Sequence, residues 1–319
     1  MTDATRILVI KLGALGDFVQ SLGPAAAIRR HHAGAEVTLL TTGPFVPLAE
    51  ASGYFERVWV DDKPSWRQPA GWLRLRRRLR GGRFDRVYDL QTSDRSGAYF
   101  RLIGPGRRPE WSGIARGCSH PHANPDRDFM HTAERQAEQL AAAGIGDVPA
   151  PDLSWARADI GRFDLADRFV LLAPGGAAHR PDKRWPAERY GELARRLADA
   201  GAQPVLIGGP EEAALLRGVA DAAPGARDLA GRTGIIELVA LARAAAGAVG
   251  NDTGPMHAVA AAGCRAVVLY SHASDPALCA QRGPAVAILR RPRLEDLPVD
   301  DVAAALAGLG AAGPAPAGD

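Results

Sequence analysis

Two hydrophobic periods alternate along this 319-residue chain, and this alternation strongly limits its possible folds. Short runs of branched apolar residues, typical of buried strands, are separated by segments in which leucine recurs at helical spacing. Strands that are joined through helices form right-handed crossovers and therefore parallel sheets. The alternation runs through both halves of the chain, so the sequence predicts an α/β protein with two doubly wound domains.

The pattern also places the individual elements. The strands are expected at 6–10, 36–40, 57–60, 86–90, 169–173, 204–208, 246–249, 265–270 and 286–289. The helices are expected at 18–30, 72–79, 132–143, 186–200, 211–223, 235–245 and 256–262. Residues 104–130 have no clear period and are rich in Gly, Pro and Arg, which is typical of a long binding loop.

Length and a break in the pattern predict the domain boundary. A chain of this size is expected to form two domains of roughly 150 residues each. Glycines and prolines interrupt the alternation at 144–162. We therefore expect a first domain at 1–153 and a second at 154–310. The Ala-, Gly- and Pro-rich residues 311–319 are expected to form a disordered tail.

Composition limits the partners and the compartment. The net charge of +3 is too small to indicate nucleic acid by itself. The three scattered cysteines fit a reducing cytosol rather than a disulfide framework, and no segment has the pattern of an export signal or a membrane span. We therefore expect a soluble cytoplasmic protein without a nucleic-acid partner. Only Lys11, Lys63 and Lys183 are lysines in this arginine-rich chain, so each is a candidate for a specific role.

A glycine-rich turn follows a predicted strand in each half, at 11–17 and at 250–257. In both, the chain runs from a short strand through glycine into a helix, which leaves backbone N–H groups that can bind an anion. The two turns suggest one cleft between the halves. A phosphorylated donor would bind at one end of it and a second substrate at the other.

The first turn, Lys-Leu-Gly-Ala-Leu-Gly-Asp, matches neither of the common nucleotide-binding motifs. Leu15 occupies the place of a glycine in the dinucleotide fingerprint, and no Gly-Lys-Ser/Thr follows for a P-loop. Asp17 then has two interpretations. It caps its helix and complements the helix dipole, or it serves as a general base at the carboxyl end of a strand.

The second half offers two candidates for phosphate binding. Segment 174–186 combines small residues with Lys183, so backbone N–H groups and one ammonium could reach an anion. An ordinary strand-to-helix loop explains the small residues as well. In the later turn an Asp-Thr pair caps a helix, whereas Gly254 weakens a helix unless its backbone approaches a ligand. Binding of a pyrophosphate at this helix start is the more specific of the two interpretations.

Three further patterns are weaker. Asp126-Arg127-Asp128 and Cys118-x-His120-x-His122 resemble metal sites, but the first has no strand before it and the second has no common zinc spacing. We therefore expect no metal. The arginine-rich segment 72–80 is typical of a solvated helix face over an apolar stripe. Contact with anionic lipid or with a phosphorylated acceptor is its alternative interpretation.

Taken together, three segments resemble the bacterial heptosyltransferases of glycosyltransferase family 9, which build the lipopolysaccharide core. They are Ile-Leu-Val-Ile-Lys-Leu-Gly-Ala-Leu-Gly-Asp at 7–17, Pro-Gly-Gly with Lys-Arg-Trp-Pro within 174–186, and Asn-Asp-Thr-Gly-Pro-Met-His at 251–257. The resemblance implies the GT-B architecture, in which two Rossmann-like domains face an interdomain cleft. It assigns acceptor binding to the first domain and nucleotide-sugar binding to the second, and it implies no metal and no cofactor.

The resemblance also implies roles for individual residues. Asp17 matches the catalytic base, and Lys183 matches the lysine on the donor phosphates. Glu211 matches the carboxylate that holds the nucleotide ribose, although the alignment could shift to Glu212. The implied donor-binding residues are Gly13, Gly16, Gly175, Gly176, Glu211, Asp252, Thr253, Gly254 and His257. The departure His179-Arg180-Pro181 leaves the identity of the donor open.

The implied activity is inverting, metal-independent transfer of a sugar, heptose from ADP-heptose, to a lipopolysaccharide core or related glycan. Asp17 would deprotonate the acceptor hydroxyl, while Lys183 and the N–H groups after Asp252 would stabilise the diphosphate leaving group. Two alternatives stay open: a nucleotide-sugar epimerase of the same fold, and a nucleotide-sugar-binding protein without catalysis. A cytoplasmic location is expected, with peripheral contact at the inner face of the inner membrane as a further expectation.

Overall fold

The computed structural model describes residues 4–104, 106 and 108–311. The chain divides into two units, Met1–Asp152 and Leu153–Asp319. Apart from Ala311, the tail predicted at 311–319 lies outside the described residues. Within the described ranges, no helix is both long enough and apolar enough to cross a membrane.

Six parallel strands form the sheet of the first unit. They are β1 Arg6–Ile10, β2 Glu36–Thr41, β3 Arg57–Val60, β4 Arg86–Asp89, β5 Glu110–Gly113 and β6 His120–Pro121. Their spatial order is β3-β2-β1-β4-β5-β6. The helices are α1 Leu15–Gln20, α2 Leu22–His31, α3 Val46–Ser52, α4 Pro69–Gly81, α5 Asp94–Ile103 and α6 Thr132–Ala141. The order changes direction between β1 and β4, as in dinucleotide-binding folds.

The second unit repeats this topology. Its strands are β7 Phe169–Ala173, β8 Gln203–Leu206, β9 Arg227–Asp228, β10 Gly247–Asn251, β11 Ala266–Tyr270 and β12 Val286–Arg290. All are parallel, in the order β12-β11-β10-β7-β8-β9. The helices are α7 Ala187–Asp199, α8 Ala213–Asp221, α9 Ile235–Ala244, α10 Gly254–Ala261, α11 Pro276–Cys279 and α12 Val299–Gly308. The predicted class, two doubly wound α/β units, is confirmed.

The central strands of both sheets form the cores. Every residue at 7–10 in β1 and at 266–270 in β11 is at most 1% exposed. Such strands are apolar on both faces because helices cover both faces of a parallel sheet. Each large apolar side chain buried in this way contributes about 1.5–3 kcal/mol to the free energy of unfolding. The cores therefore hold the carboxyl ends of the strands, where the candidate site residues begin, in fixed positions.

The helix predicted at 18–30 is two helices, because the chain breaks at Ser21. The Ser21 hydroxyl donates to the Phe18 carbonyl oxygen at 2.7 Å. Pro24, in the first turn of α2, has no N–H group and so cannot donate the helical hydrogen bond to the Gln20 carbonyl oxygen. Asp17 therefore lies on a separate six-residue helix.

The loop predicted at 104–130 contains the two short strands β5 and β6. Trp111 is the one large apolar side chain in these strands, so they show no strand period in the sequence. The two-residue strand β9 escaped prediction for the same reason, since it consists of one arginine and one aspartate.

Candidate active site

In the second unit, two loops leave the sheet at the point where the strand order changes direction. One follows β7 and the other follows β10, which are adjacent parallel strands. Open α/β sheets bind ligands beyond the carboxyl ends of the strands at such a point. Gly250 allows close packing here, because a Cβ on it would stand 2.6 Å from Met256 Sδ and 2.8 Å from Ala173 Cβ.

Asn251 ties these two loops together. Its side chain is fully buried, and Nδ2 donates to the carbonyl oxygens of Pro174 and Gly175, both at 2.9 Å. Its Oδ1 accepts the Trp185 N–H at 3.0 Å and lies 3.1 Å from the Tyr190 hydroxyl. The amide therefore uses its hydrogen-bonding capacity within the protein. The sequence assigned Asn251 no role, because an asparagine beside a turn is ordinary.

Glu212 fixes the glycines of the loop after β7. Its Oε1 accepts the Gly176 N–H at 2.6 Å, and its Oε2 accepts the Gly209 N–H at 2.9 Å. Gly175 is required beside it, because a Cβ there would collide with the Glu212 carboxylate. Glu211, which the resemblance favours as the ribose ligand, is exposed, and its carboxylate makes no hydrogen bond or ion pair with another described residue. Its role on the ribose stays a prediction.

Lys183 and Asp252 form a buried ion pair. Lys183 Nζ lies 2.7 Å from Asp252 Oδ2, and the two side chains are 12% and 6% exposed. The other oxygen, Oδ1, accepts a hydrogen bond from Gln281 Nε2 at 3.0 Å and lies 3.0 Å from the Tyr270 hydroxyl. Burial alone would raise the pKa of Asp252, but the hydrogen bond and charge of Lys183 outweigh it and hold the pKa below its ordinary value. The pair therefore fixes the ammonium at this edge of the sheet.

Thr253 stands at the start of α10, where the sequence expected a capping side chain. It has the N-cap position with an extended backbone, but its side chain makes no capping hydrogen bond. The predicted cap position is therefore confirmed, whereas the expected capping hydrogen bond is absent. The Thr253 Oγ1 is buried and has no partner among the residues that the structure describes. A hydroxyl of this kind beside unpaired N–H groups of a helix start, here at Gly254, is suited to receive an anion.

The structure brings several predicted donor residues together in this unit. A Cβ on Gly176 would lie 3.5 Å from Thr253 Cγ2, so the loops after β7 and β10 face each other at this point. His257 lies one turn further along α10 and is buried. The ammonium of Lys183 and the glycine loop thus converge on the start of α10.

In the first unit, Asp17 lies in the first turn of α1 and is exposed. The N-cap of this helix is Ala14, so Asp17 is not the capping residue. Gly13 has a φ of +119°, and a Cβ on it would stand 2.8 Å from Phe45 Cε2, so both conformation and space require glycine. Gly16 is buried. These facts explain Gly13 without a ligand, and the donor role that the resemblance gives to both glycines stays a prediction.

Charged side chains that the sequence did not assign surround this turn. Lys11 is 4% exposed, and its Nζ donates to the Leu90 carbonyl oxygen at 3.1 Å. Burial lowers the pKa of Lys11, although the charges of Asp17 and Asp89 oppose this. Burial and the charge of Arg127 also lower the pKa of Arg135 on α6, and the charges of Asp128 and Asp17 oppose this. In the sequence, Lys11 was a candidate for a specific role only because lysine is rare in this chain.

Asp89 ends β4 and is fully buried. Burial raises its pKa to about 6, although hydrogen bonds from Thr92, Ser96 and Gln91 oppose the rise. Its Oδ1 accepts the N–H groups of Gln91 at 3.1 Å and Thr92 at 3.0 Å. Asp89 therefore shapes the loop after β4, next to the turn that carries Asp17.

The two metal-like patterns lie in the first unit, and their side chains contact other groups. Asp128 pairs with Arg127 Nη1 at 3.0 Å, and His122 Nε2 lies 3.5 Å from the Glu138 carboxylate. In the part of the chain that the structure describes, no group of three or more His, Cys, Asp or Glu side chains could hold a metal ion.

Comparison with known proteins gives one family and a set of relatives. The model of glycosyltransferase family 9 (heptosyltransferase) matches residues 72–295. Lipopolysaccharide heptosyltransferase 2 of Escherichia coli (strain K12) is 32% identical over 219 residues, which are 61% of this chain and 62% of that protein. The match thus spans less than two thirds of the length of this relative.

Solved structures share the fold along nearly the whole chain. A glycosyl transferase of family 9 from Veillonella parvula has a TM-score of 0.84 at 21% identity and covers 96% of this chain and 97% of its own. The ADP-heptose lipopolysaccharide heptosyltransferase II of E. coli has a TM-score of 0.79 at 23% identity and covers 96% and 98%. At these identities the likeness establishes the two-domain GT-B fold.

Proposed function

This chain belongs to glycosyltransferase family 9, and from that premise we propose that it transfers heptose from ADP-heptose to a lipopolysaccharide core or a related glycan. The proposal is supported by the sequence similarity to the lipopolysaccharide heptosyltransferase 2 of E. coli and by the shared fold of the ADP-heptose lipopolysaccharide heptosyltransferase II. The observation that carries it is the buried Thr253 hydroxyl, unpartnered among the described residues, at the start of α10.

We propose that the diphosphate of the donor binds at this start of α10. Backbone N–H groups, the Thr253 hydroxyl and the Lys183 ammonium would contact its oxygens, and Gly176 would let the chain approach closely. Glu211 is exposed at the start of the segment before α8 and would accept hydrogen bonds from the ribose hydroxyls. Asp252 would keep Lys183 in place through the ion pair.

In the proposed reaction Asp17 removes the proton from an acceptor hydroxyl. The hydroxyl oxygen attacks the anomeric carbon from the side opposite the diphosphate, and the bond from this carbon to the phosphate oxygen breaks. ADP leaves with the electron pair, and the configuration at the anomeric carbon is inverted. Lys183 and the N–H groups of α10 stabilise the charge that develops on the leaving group. Because they supply this stabilisation, the proposed reaction needs no metal ion. Asp17 acts chiefly through its position next to the hydroxyl.

A transfer assay tests this function. The wild-type protein is incubated with ADP-heptose, UDP-glucose or GDP-mannose, with and without EDTA, and with deacylated lipopolysaccharide core oligosaccharides that carry no heptose or one heptose. We expect a heptosylated product from ADP-heptose alone, in equal amount with EDTA. Consumption of a nucleotide sugar without any acceptor would support an epimerase instead. Binding without consumption under all these conditions would support a non-catalytic binding protein.

We also propose that α4 brings the protein to the inner face of the inner membrane. The helix has the sequence Pro-Ala-Gly-Trp-Leu-Arg-Leu-Arg-Arg-Arg-Leu-Arg-Gly, with no acidic residue. Leu75 and Leu79 are buried against the unit, while Leu73 on the outer side is 51% exposed among arginines. Exposed apolar side chains among arginines are suited to an anionic lipid surface.

A further inference from the structure

Gln91 lies two residues beyond the end of β4, at the place where the strand order of the first sheet changes direction. Two hydrogen bonds tie its loop to the loop after β1. Lys11 Nζ donates to the Leu90 carbonyl oxygen at 3.1 Å, and the Leu12 N–H donates to Gln91 Oε1 at 2.8 Å. At the end of β4, Asp89 Oδ1 accepts a hydrogen bond from the Gln91 backbone N–H at 3.1 Å. The position of Gln91 is therefore fixed through both its backbone and its side chain.

These bonds also fix the orientation of the Gln91 amide. A primary amide has one acceptor oxygen and two N–H donors on its nitrogen. The N–H of Leu12 can be satisfied only by the oxygen, so the nitrogen points to the other side. Gln91 Nε2 makes no hydrogen bond with any residue in the described ranges, and Gln91 is only half-buried. The Gln91 Nε2 group thus has two N–H donors in a fixed orientation that are not used within the described residues. They lie at the edge of the sheet where such folds bind ligands.

We propose that Gln91 binds the sugar acceptor, by donating from Nε2 to an oxygen of the acceptor next to the hydroxyl that Asp17 deprotonates. This inference rests on the proposed function. Asp17 as a carboxylate can only accept hydrogen bonds, whereas acceptor hydroxyl and ring oxygens also need donors. A donor that is already immobilised binds with little loss of side-chain entropy. Leu12 and Asp17 belong to one turn, so the hydrogen bond from Leu12 connects the Gln91 amide to the segment that carries the proposed base.

The substitution Gln91→Glu separates acceptor binding from a purely structural role. The carboxylate keeps an oxygen for the Leu12 N–H but removes both side-chain donors. Gln203→Glu is the matched control, because Gln203 Oε1 likewise accepts a backbone N–H, that of Ala166 at 2.8 Å, at the amino end of β8. Gln91→Leu serves as a second variant, since it removes the donors without adding a charge.

Steady-state kinetics with ADP-heptose and the deacylated core oligosaccharide that the wild type accepts give the test. We expect Gln91→Glu to raise KM for the oligosaccharide roughly tenfold, the effect of one lost hydrogen bond of about 1.4 kcal/mol. The Kd for ADP and the melting temperature should stay at the wild-type values. Gln91→Leu should raise the same KM and also lower the melting temperature, because the Leu12 N–H loses its partner. Gln203→Glu should leave the KM for the oligosaccharide and the Kd for ADP unchanged.

Three results would overturn the inference. In the first, Gln91→Glu and Gln91→Leu keep the wild-type KM for the oligosaccharide, so that the amide only connects two loops. In the second, the variants weaken ADP binding, so that Gln91 belongs to the donor site. In the third, the wild type transfers no sugar to any oligosaccharide, which refutes the proposed function itself and the inference with it.

Discussion

Asn251 and Glu212 act on the second unit through backbone atoms. Asn251 holds two carbonyl oxygens and one N–H of the loop after β7, and Glu212 holds an N–H of the same loop. A buried backbone group that loses its partner costs about 1–3 kcal/mol. Replacing either residue therefore changes the shape of the proposed phosphate site without removing a group that would touch the phosphates.

Asp17→Asn tests the proposed base. The amide keeps the size of the side chain but cannot take a proton, so transfer should fall by about 10²–10⁴-fold, the usual contribution of a general base. ADP binding should remain, because the proposed phosphate contacts lie on the second unit. The turnover number by product formation and the Kd by calorimetry check these two expectations.

The matched control for this variant is Asp300→Asn. Asp300 is also a first-turn carboxylate of a helix, α12, and it is exposed. Its replacement should leave transfer at the wild-type level. Full activity of Asp17→Asn would remove Asp17 from the mechanism, and loss of ADP binding would move it to the donor site.

Asp89 should make stability depend on pH. Its pKa of about 6 in the folded protein lies above the ordinary value of 3.8, so the native state binds the proton more tightly than the unfolded chain. The stabilisation is complete below about pH 4 and is lost as the pH rises through 6, in all about 3 kcal/mol. Urea unfolding should show that wild type loses about this much, relative to Asp89→Asn, between pH 4 and pH 7. A difference that is constant with pH would contradict the expectation.

At this scale the sequence predicts residues in continuous motifs but not their distant partners. Lys183, Asp252 and Thr253 stand in recognisable segments, and the structure brings the first two together as an ion pair. The sequence named Glu212 only as an alternative ribose ligand and did not single out Gln91, because the backbone groups that these side chains bind lie 36 and 79 positions away along the chain. Such contacts exist only once the sheets have formed.

Among the elements, α4 carries a testable role of its own. We expect the wild-type protein to sediment with vesicles that contain phosphatidylglycerol and not with pure phosphatidylcholine vesicles. Each arginine near an anionic surface contributes about 1 kcal/mol, so Arg77→Glu should weaken partitioning at least about fivefold. Leu73→Ser should weaken it as well, by removing the exposed apolar side chain.

Arg217→Glu on α8 is the control for this experiment, because Arg217 is an exposed arginine of the second unit outside the arginine-rich helix. It should bind vesicles like the wild type. Equal loss of binding in Arg217→Glu and Arg77→Glu would show that net charge, rather than α4, determines the association. Transfer to the deacylated oligosaccharide should be unaffected by these changes.

The predictability of an element depends on its length and on its burial. The strand predictions at 6–10, 57–60 and 169–173 coincide with β1, β3 and β7. The edge strands β6 and β9, with two residues each, have no period that a sequence could display. Proline at the third position of α2 produced the break that leucine spacing alone did not reveal.

At the scale of the whole molecule, the two units have the same strand order although they perform different parts of the proposed reaction. The alternation of strands and helices predicted both sheets, because right-handed crossovers leave few other arrangements. It could not predict the division of labour, since fold alone does not determine function. The proposed base stands on the first unit and the proposed leaving-group site on the second, so each function can be removed separately by mutation.

The ion pair of Lys183 with Asp252 affects how strongly the lysine would bind the intact donor compared with the transition state of the proposed reaction. A cation that already shares its charge with a neighbouring carboxylate attracts an intact nucleotide sugar less than a free cation would. In the proposed reaction, negative charge would grow on the departing phosphate as its bond to the sugar breaks, and the Lys183 ammonium would then shift its strongest contact from Asp252 to a phosphate oxygen. In the proposed reaction, Asp252 would thus make Lys183 stabilise the transition state more than the bound, unreacted donor.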